Sequence, residues 1–203
     1  AAKVAVKTGK KILLVDERPH FGGNLTFAEE ELIKINKLKP LEWINETCTE
    51  LQNYKNIKIL NRTSIAAYHN YNYLIMMQNL SDHLSEKEIK GKIRQRLWKV
   101  RAKKVILATG SIERPMIFNC NDRPGIMLSS SVRKYINYYG VKCGNNAVIF
   151  TSNDDAYETA ISLHNKDVRI EAIIDIREQS GGDLPKKCNE LGIKILWKST
   201  VVY

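Results

Sequence analysis

Apolar residues fall along this chain in two kinds of run, and the two kinds alternate. Ile12–Val15, Val105–Leu107 and Ala147–Phe150 are apolar without interruption, as strands are when helices cover both faces of their sheet. Pro40–Tyr54 instead returns Leu41, Ile44, Cys48 and Leu51 every three or four residues, which aligns them on one face of a helix. The opening AAKVAVKTG, with apolar Ala2, Val4 and Val6 and then Gly9, reads as the last turns of a helix stopped by glycine. Another helix pattern follows Phe150 and runs through Tyr157–Leu163. Strands alternating with helices predict an α/β fold on a parallel sheet.

Two distant segments repeat one order of parts. ILLVDERPHFGG sets an acid, Asp16, at a strand end with glycines six residues on, Gly22 and Gly23; AIIDIREQSGG does the same with Asp175, Gly181 and Gly182. A similar closing stretch follows each, IKILNRTSIAAY at 57–68 and IKILWKSTVVY at 193–203. The match predicts a duplicated supersecondary unit, and two such units make a three-layer, Rossmann-like FAD/NAD(P)-binding fold. Residues 1–143 are expected to form an incomplete first unit with a β-hairpin insertion and a connector. Residues 144–203 are expected to form a second, degenerate and incomplete unit.

In a unit of this kind the acid at the strand end accepts hydrogen bonds from an adenosine ribose. Asp16 fits that role, with Glu17 as its neighbour and rival; an Asp after a strand is also a common turn starter. Gly22 and Gly23 let the backbone turn tightly and approach a ligand. The phosphate-binding strand and G-x-G-x-x-G loop that should precede the acid are absent, so the chain reads as a fragment truncated in front and, ending on an apolar strand, behind. The second unit keeps the equivalent loop, but Thr151, Asn153 and Ala156 stand where glycines belong. Side chains there crowd a diphosphate and Asp154 and Asp155 add like charge, although an Asp also caps a helix well. The second unit is expected to keep the fold without standard nucleotide binding.

Composition narrows the classes. At 43% apolar and 27% charged residues the chain is ordinary globular protein, without a membrane-length apolar run or a signal peptide, and a cytoplasmic location is expected. Cys48, Cys120, Cys143 and Cys188 lie far apart with no C-x-x-C, which speaks against a redox dithiol, a metal site or a disulfide framework. The net charge of +10 raises a nucleic-acid binder, but the cations are scattered apart from residues 90–104, KGKIRQRLWKVRAKK, which reads as a solvated hairpin. No nucleic-acid or membrane partner is expected. His20, His69, His83 and His164 bring no nucleophile or carboxylate constellation with them, and no catalytic residue is assigned.

The most specific stretch is RQRLWKVRAKKVILATGSIERPMIFNCNDRPGIM, residues 94–127. Taken with VDERPHFGG, YHNYNYL, SSSVRKYINYYG and AVIFTSNDDAYETA, it resembles the α subunit of heterotetrameric sarcosine oxidases over essentially the whole chain. The resemblance implies NAD in this region, FAD and FMN in the parent complex, mainly on the β subunit with FMN at the α/β boundary, and tetrahydrofolate in a C-terminal region not included here. It implies β, γ and δ subunits as partners. Residue by residue, it implies Asp16, Glu17 and Arg18 beside the adenosine, Gly22, Gly23 and Asn24 near the ribose–diphosphate, Thr63 and Ile65 against adenine through backbone atoms, and Ala108, Thr109 and Gly110 at a strand-end turn near the cofactor. Two alternatives stay open: an α-like subunit of another amine or imino-acid dehydrogenase, acting on opines, proline or glycine, and a noncatalytic scaffold that holds partner subunits.

Overall fold

The computed structural model describes residues 1–179 and 181–202. The chain folds as two compact units, one of Ala1–Gly23 with Leu41–Gly110, the other of Asn24–Pro40 with the chain from Ser111 onward.

The first unit opens on α1, Ala2–Val6, whose end is marked by Gly9 at φ 72°. Strand β1, Ile12–Val15, pairs in parallel with β2, Ile57–Leu60, in the register Ile12↔Ile57 to Val15↔Leu60. Parallel partners need a crossover, and helix α2, Pro40–Gln52, lies on it, with Ile44 and Leu51 buried as the helical spacing requires. An antiparallel meander follows: β3 (Thr63–His69), β4 (Tyr73–Asn79) and β5 (Gln95–Arg101), with the short α3 (Glu86–Ile89) between the last two. The β3–β4 turn passes through Tyr71 and Asn72 at φ 60° and 54°, held by the Tyr68 hydroxyl donating to Asn72 Oδ1 at 2.7 Å. One face of the meander closes on β1 and β2: Leu60, Leu74 and Met76 form a buried cluster joined by Leu13, Val15, Trp98, Val100 and Val105.

Val105–Leu107, expected as a buried parallel strand, is not one. Only Val105 joins the core, while Ile106 and Leu107 are 69% and 63% exposed. An apolar run becomes a strand only where another strand satisfies its backbone, and among the described residues β1 is paired along β2 alone.

In the second unit β6 (Asn146–Thr151), β7 (Arg169–Asp175) and β8 (Ile195–Leu196) form a parallel sheet in that order. Helices α4 (Ser129–Tyr138), α5 (Asp155–His164) and α6 (Asp183–Glu190) complete it. Ala156 to Leu163 of α5 are all buried, around a core that includes Ile149, Ile173 and Cys188. So central a helix must satisfy its own polar groups. Glu158 pairs with buried Arg133 at 3.1 Å and accepts the Glu29 N–H at 2.9 Å, and Ser162 donates to Glu29 Oε2 at 2.8 Å. These bonds fasten the 24–40 segment to the helix, helped by Asn137 Nδ2 donating to the carbonyl of buried Phe27 at 3.1 Å.

Candidate nucleotide-binding site

The acid and the closing turn of the repeat match bond for bond, whereas the glycine pairs do not: Gly22 and Gly23 hold φ of 119° and 55°, but Gly182 is at φ −68° ahead of α6. Asp16 ends β1 and its Oδ1 accepts the Arg18 N–H at 2.8 Å; Asp175 ends β7 and its Oδ1 accepts the Arg177 N–H at 2.9 Å. The chain after the closing strand returns to each acid in the same way. Thr63 N–H donates to Asp16 O at 2.9 Å and Arg62 N–H to Arg18 O at 3.0 Å; Ser199 N–H donates to Asp175 O at 3.2 Å and Lys198 N–H to Arg177 O at 2.9 Å. Arg62 and Lys198 hold φ of 51° and 50°, a left-handed conformation that non-glycine residues adopt at a cost. Thr63 Oγ1 donates to Asn61 O at 2.9 Å, as Ser199 Oγ does to Trp197 O at 2.8 Å. We call this recurrent turn the clasp.

The two clasps differ in what their acids hold. Asp175 is fully buried: the Tyr157 hydroxyl donates to Oδ2 at 2.8 Å, Arg177 Nη2 to the same oxygen at 2.7 Å and Arg177 Nε to Oδ1 at 3.0 Å. Burial alone would raise its carboxyl; the Arg177 and Tyr157 hydrogen bonds prevail and hold it below the usual carboxylate range. The same burial, with the negative carboxylate beside it, drives the Tyr157 phenol far above its ordinary value. Arg177 Nη2 also reaches Asp154 Oδ1 at 2.7 Å, and Arg133 Nη2 reaches Asp155 Oδ1 at 2.9 Å. The two acids expected to cap α5 therefore pair with arginines, while Asn153 Oδ1 accepts the Asp155 N–H at 3.1 Å. Thr151 turns its hydroxyl onto its own loop, donating to Asn153 O at 2.9 Å. This half is filled by its own side chains.

Asp16 is half-buried, and Glu17 beside it is exposed. Arg18 folds differently from Arg177: its Nη1 is buried and meets no hydrogen-bond acceptor. Gly22 and Gly23 carry φ of 119° and 55°. A Cβ built on Gly23 meets nothing within 4 Å, so its glycine answers to backbone conformation and leaves open space beside the turn. Thr63 is 1% exposed with its N–H spent on Asp16, and Ile65 is 44% exposed on β3. Ala108, Thr109 and Gly110 are exposed and lie outside regular structure, three residues beyond the point where Val105 packs with Leu13 and Val15. Asn24 is exposed and belongs to the second unit. The clasp thus gathers Asp16, Arg18 and Thr63 by direct bonds, and Glu17, Gly22, Gly23, Ile65, Ala108, Thr109 and Gly110 belong to the same unit.

Sequence reasoning did not find the roles of Arg177 and Glu113. Glu113, of the IERP stretch, accepts the N–H groups of Ser129 and Ser130 at 2.9 and 2.7 Å, seating a carboxylate on the first turn of α4. Its signal was its distance of sixteen residues from a serine-rich helix start, which no local pattern connects. Among the described residues no group of three His, Cys, Asp or Glu side chains is placed to hold a metal ion, and no helix is long and apolar enough to cross a membrane.

Parallel sheets, crossover helices and an acid at the ends of β1 and β7 define a Rossmann-like fold of the FAD/NAD(P)-binding type. Solved structures agree: L-proline dehydrogenase from P. horikoshii superposes with a TM-score of 0.61 at 22% identity, covering 90% of this chain and 34% of that one. A 2-naphthoyl-CoA reductase complex gives 0.62 at 14% identity, covering 99% and 26%. No protein-family model matches the chain. Among curated proteins it is similar to the sarcosine oxidase subunit alpha of Corynebacterium sp. (strain P-1), 37% identical over 202 residues, and to that of Rhizobium meliloti (strain 1021), 34% identical over 183 residues. The resemblance seen in the motifs therefore extends over 100% and 90% of this chain, which spans about 20% and 18% of those relatives' lengths.

Proposed function

We propose that this chain is the NAD-binding portion of a sarcosine oxidase α subunit. The observation that carries the reading is the contrast between the clasps: one scaffold, built twice, with its acid neutralised from within at Asp175 and left half-exposed at Asp16. A carboxylate so placed, at the carboxyl end of a parallel strand, suits the two hydroxyls of an adenosine ribose. Asp16 would accept those hydroxyls, Glu17 and Arg18 would flank the adenosine, and Gly22 and Gly23 would lie toward the ribose–diphosphate. Ile65, exposed on β3, would meet adenine, with buried Thr63 holding the turn beneath it and Ala108, Thr109 and Gly110 nearer the rest of the cofactor. Two carboxylates at Asp16 and Glu17 favour a nucleotide without a 2′-phosphate, hence NAD over NADP. The described residues fit the ribose end of the nucleotide, and a glycine-rich phosphate cradle is not among them.

In the parent complex, with FAD, FMN and tetrahydrofolate bound elsewhere and β, γ and δ subunits as partners, sarcosine, oxygen and water would give glycine, hydrogen peroxide and formaldehyde. Tetrahydrofolate would capture the formaldehyde as methylene-tetrahydrofolate. The test is mass spectrometry of the nucleotide released from the purified full-length subunit, wild type and Asp16→Asn. Wild type is expected to release NAD, and Asp16→Asn to retain at least about tenfold less, as loss of charge-assisted hydrogen bonds implies. Wild type that assembles normally yet carries no NAD overturns the reading in favour of a scaffold. Turnover of sarcosine against proline, opines and glycine by the reconstituted complex separates the oxidase from a related imino-acid dehydrogenase.

A further inference from the structure

The meander of the first unit has two faces, and the core uses one. Alternation along the strands sends Leu74, Met76, Trp98 and Val100 inward. The registers Tyr73↔Arg101, Ile75↔Lys99 and Met77↔Leu97 then set six side chains together on the other face. Tyr73, Ile75 and Met77 are half-buried along its middle, Leu97 is 52% exposed, and Lys99 and Arg101 are exposed on the edge strand. The Arg101 guanidinium lies 5.5 Å from the centre of the Tyr73 ring. This face has a one-sided charge: β3, β4 and β5 contain no Asp or Glu, and residues 90–104 carry eight Lys and Arg with no acid among them.

We propose that this face of the meander is the docking surface for another subunit of the complex, one presenting aliphatic side chains flanked by carboxylates. The inference rests on reading the chain as part of a multi-subunit oxidase, a reading supported by relatives that are themselves named as subunits. The charge selects the occupant. A second copy related by a two-fold axis would set Lys99 and Arg101 against themselves, whereas carboxylates opposite them speed encounter and fix register. The middle argues for protein over nucleic acid: Ile75, Met77 and Leu97 offer nothing to a phosphate, the Tyr73 ring beside them is half-buried with the Arg101 guanidinium already over it, and together they match the apolar centre and polar rim of a protein interface.

The test uses the full-length subunit co-expressed with the other subunits of its complex, as wild type, Lys99→Glu/Arg101→Glu and Leu97→Asp. Assembly is read by analytical ultracentrifugation, bound nucleotide by mass spectrometry and folding by thermal melting. Both variants are expected to weaken subunit association at least about tenfold with nucleotide content retained, the charge reversal more strongly at low salt. Should Leu97→Asp lower the melting temperature, the charge reversal alone decides. Variants that are folded and assemble like wild type overturn the surface while leaving the oxidase reading intact, and wild type that recruits no second chain overturns both. Binding of an oligonucleotide probe abolished by the charge reversal, with assembly unchanged, also overturns it.

Discussion

A buried carboxylate is tolerable only while its partners remain. Asp175 is held by one phenol and one guanidinium, and the Arg177 side chain is itself 30% exposed. Replacing Arg177 with Met leaves that charge in the core, and a loss of about 3 kcal/mol is expected, at the low end for buried pairs because solvent reaches the arginine; urea denaturation measures it. Asp16→Asn, at a half-exposed position, should shift the same midpoint far less. Cys188 makes a second residue-scale test. Burial pushes its thiol up to about 12, so at about pH 8 it should resist alkylation until the protein unfolds, while exposed Cys143 reacts. Mass mapping of the labelled peptides would show both. The sequence made Asp16 and Asp175 look equivalent, because a strand-end acid followed two residues later by arginine is the same string in both places. Which arginine turns back onto its acid depends on Tyr157 and Asp154, eighteen or more residues away from Asp175, and no local pattern encodes that.

At the scale of elements, patterning was a good guide wherever an element carried its own reason to exist. The spacing of Ile44, Cys48 and Leu51 located α2, and Ile12–Val15 and Ala147–Phe150 located β1 and β6. Val105–Leu107 misled because a strand is a property of a pair: the run has strand composition, yet among the described residues no neighbour gives it a ladder. The charged stretch at 90–104, expected as a hairpin, supplies one strand, β5, whose partner β4 lies upstream at Tyr73–Asn79. Glu113 gives an element-scale prediction. Two N–H groups of α4 terminate on its carboxylate, so Glu113→Gln should cost about 1 kcal/mol, and Glu113→Ala somewhat more, by denaturant unfolding. Gly23→Ala tests the turn after Asp16. Space is open around it, so a loss of about 1 kcal/mol would come from φ alone.

For the whole molecule, the duplicated architecture was legible because its parts recur in one order, and Thr151, Asn153 and Ala156 already set the second copy apart; the means of that division, Arg177 and Tyr157 closing on Asp175, was not legible. Acid should expose that division. The Asp175 carboxyl lies below its ordinary value when folded, so its contribution is complete above the unfolded value of about 3.9 and is lost as pH falls through the lower folded value. Melting temperatures followed from about pH 6 downward should therefore drop more steeply for wild type than for Asp175→Asn, which has no such proton to take up. A parallel or shallower wild-type curve would show that the acid is not held as described.

Because both clasps are built from matching backbone bonds, down to the left-handed Arg62 and Lys198, the molecule carries its own control. A change made at one acid can be repeated at its twin within a single polypeptide, under identical solvent and concentration. Any effect common to both belongs to the shared turn, and what is left over belongs to what each acid holds, Tyr157 and Arg177 in the case of Asp175.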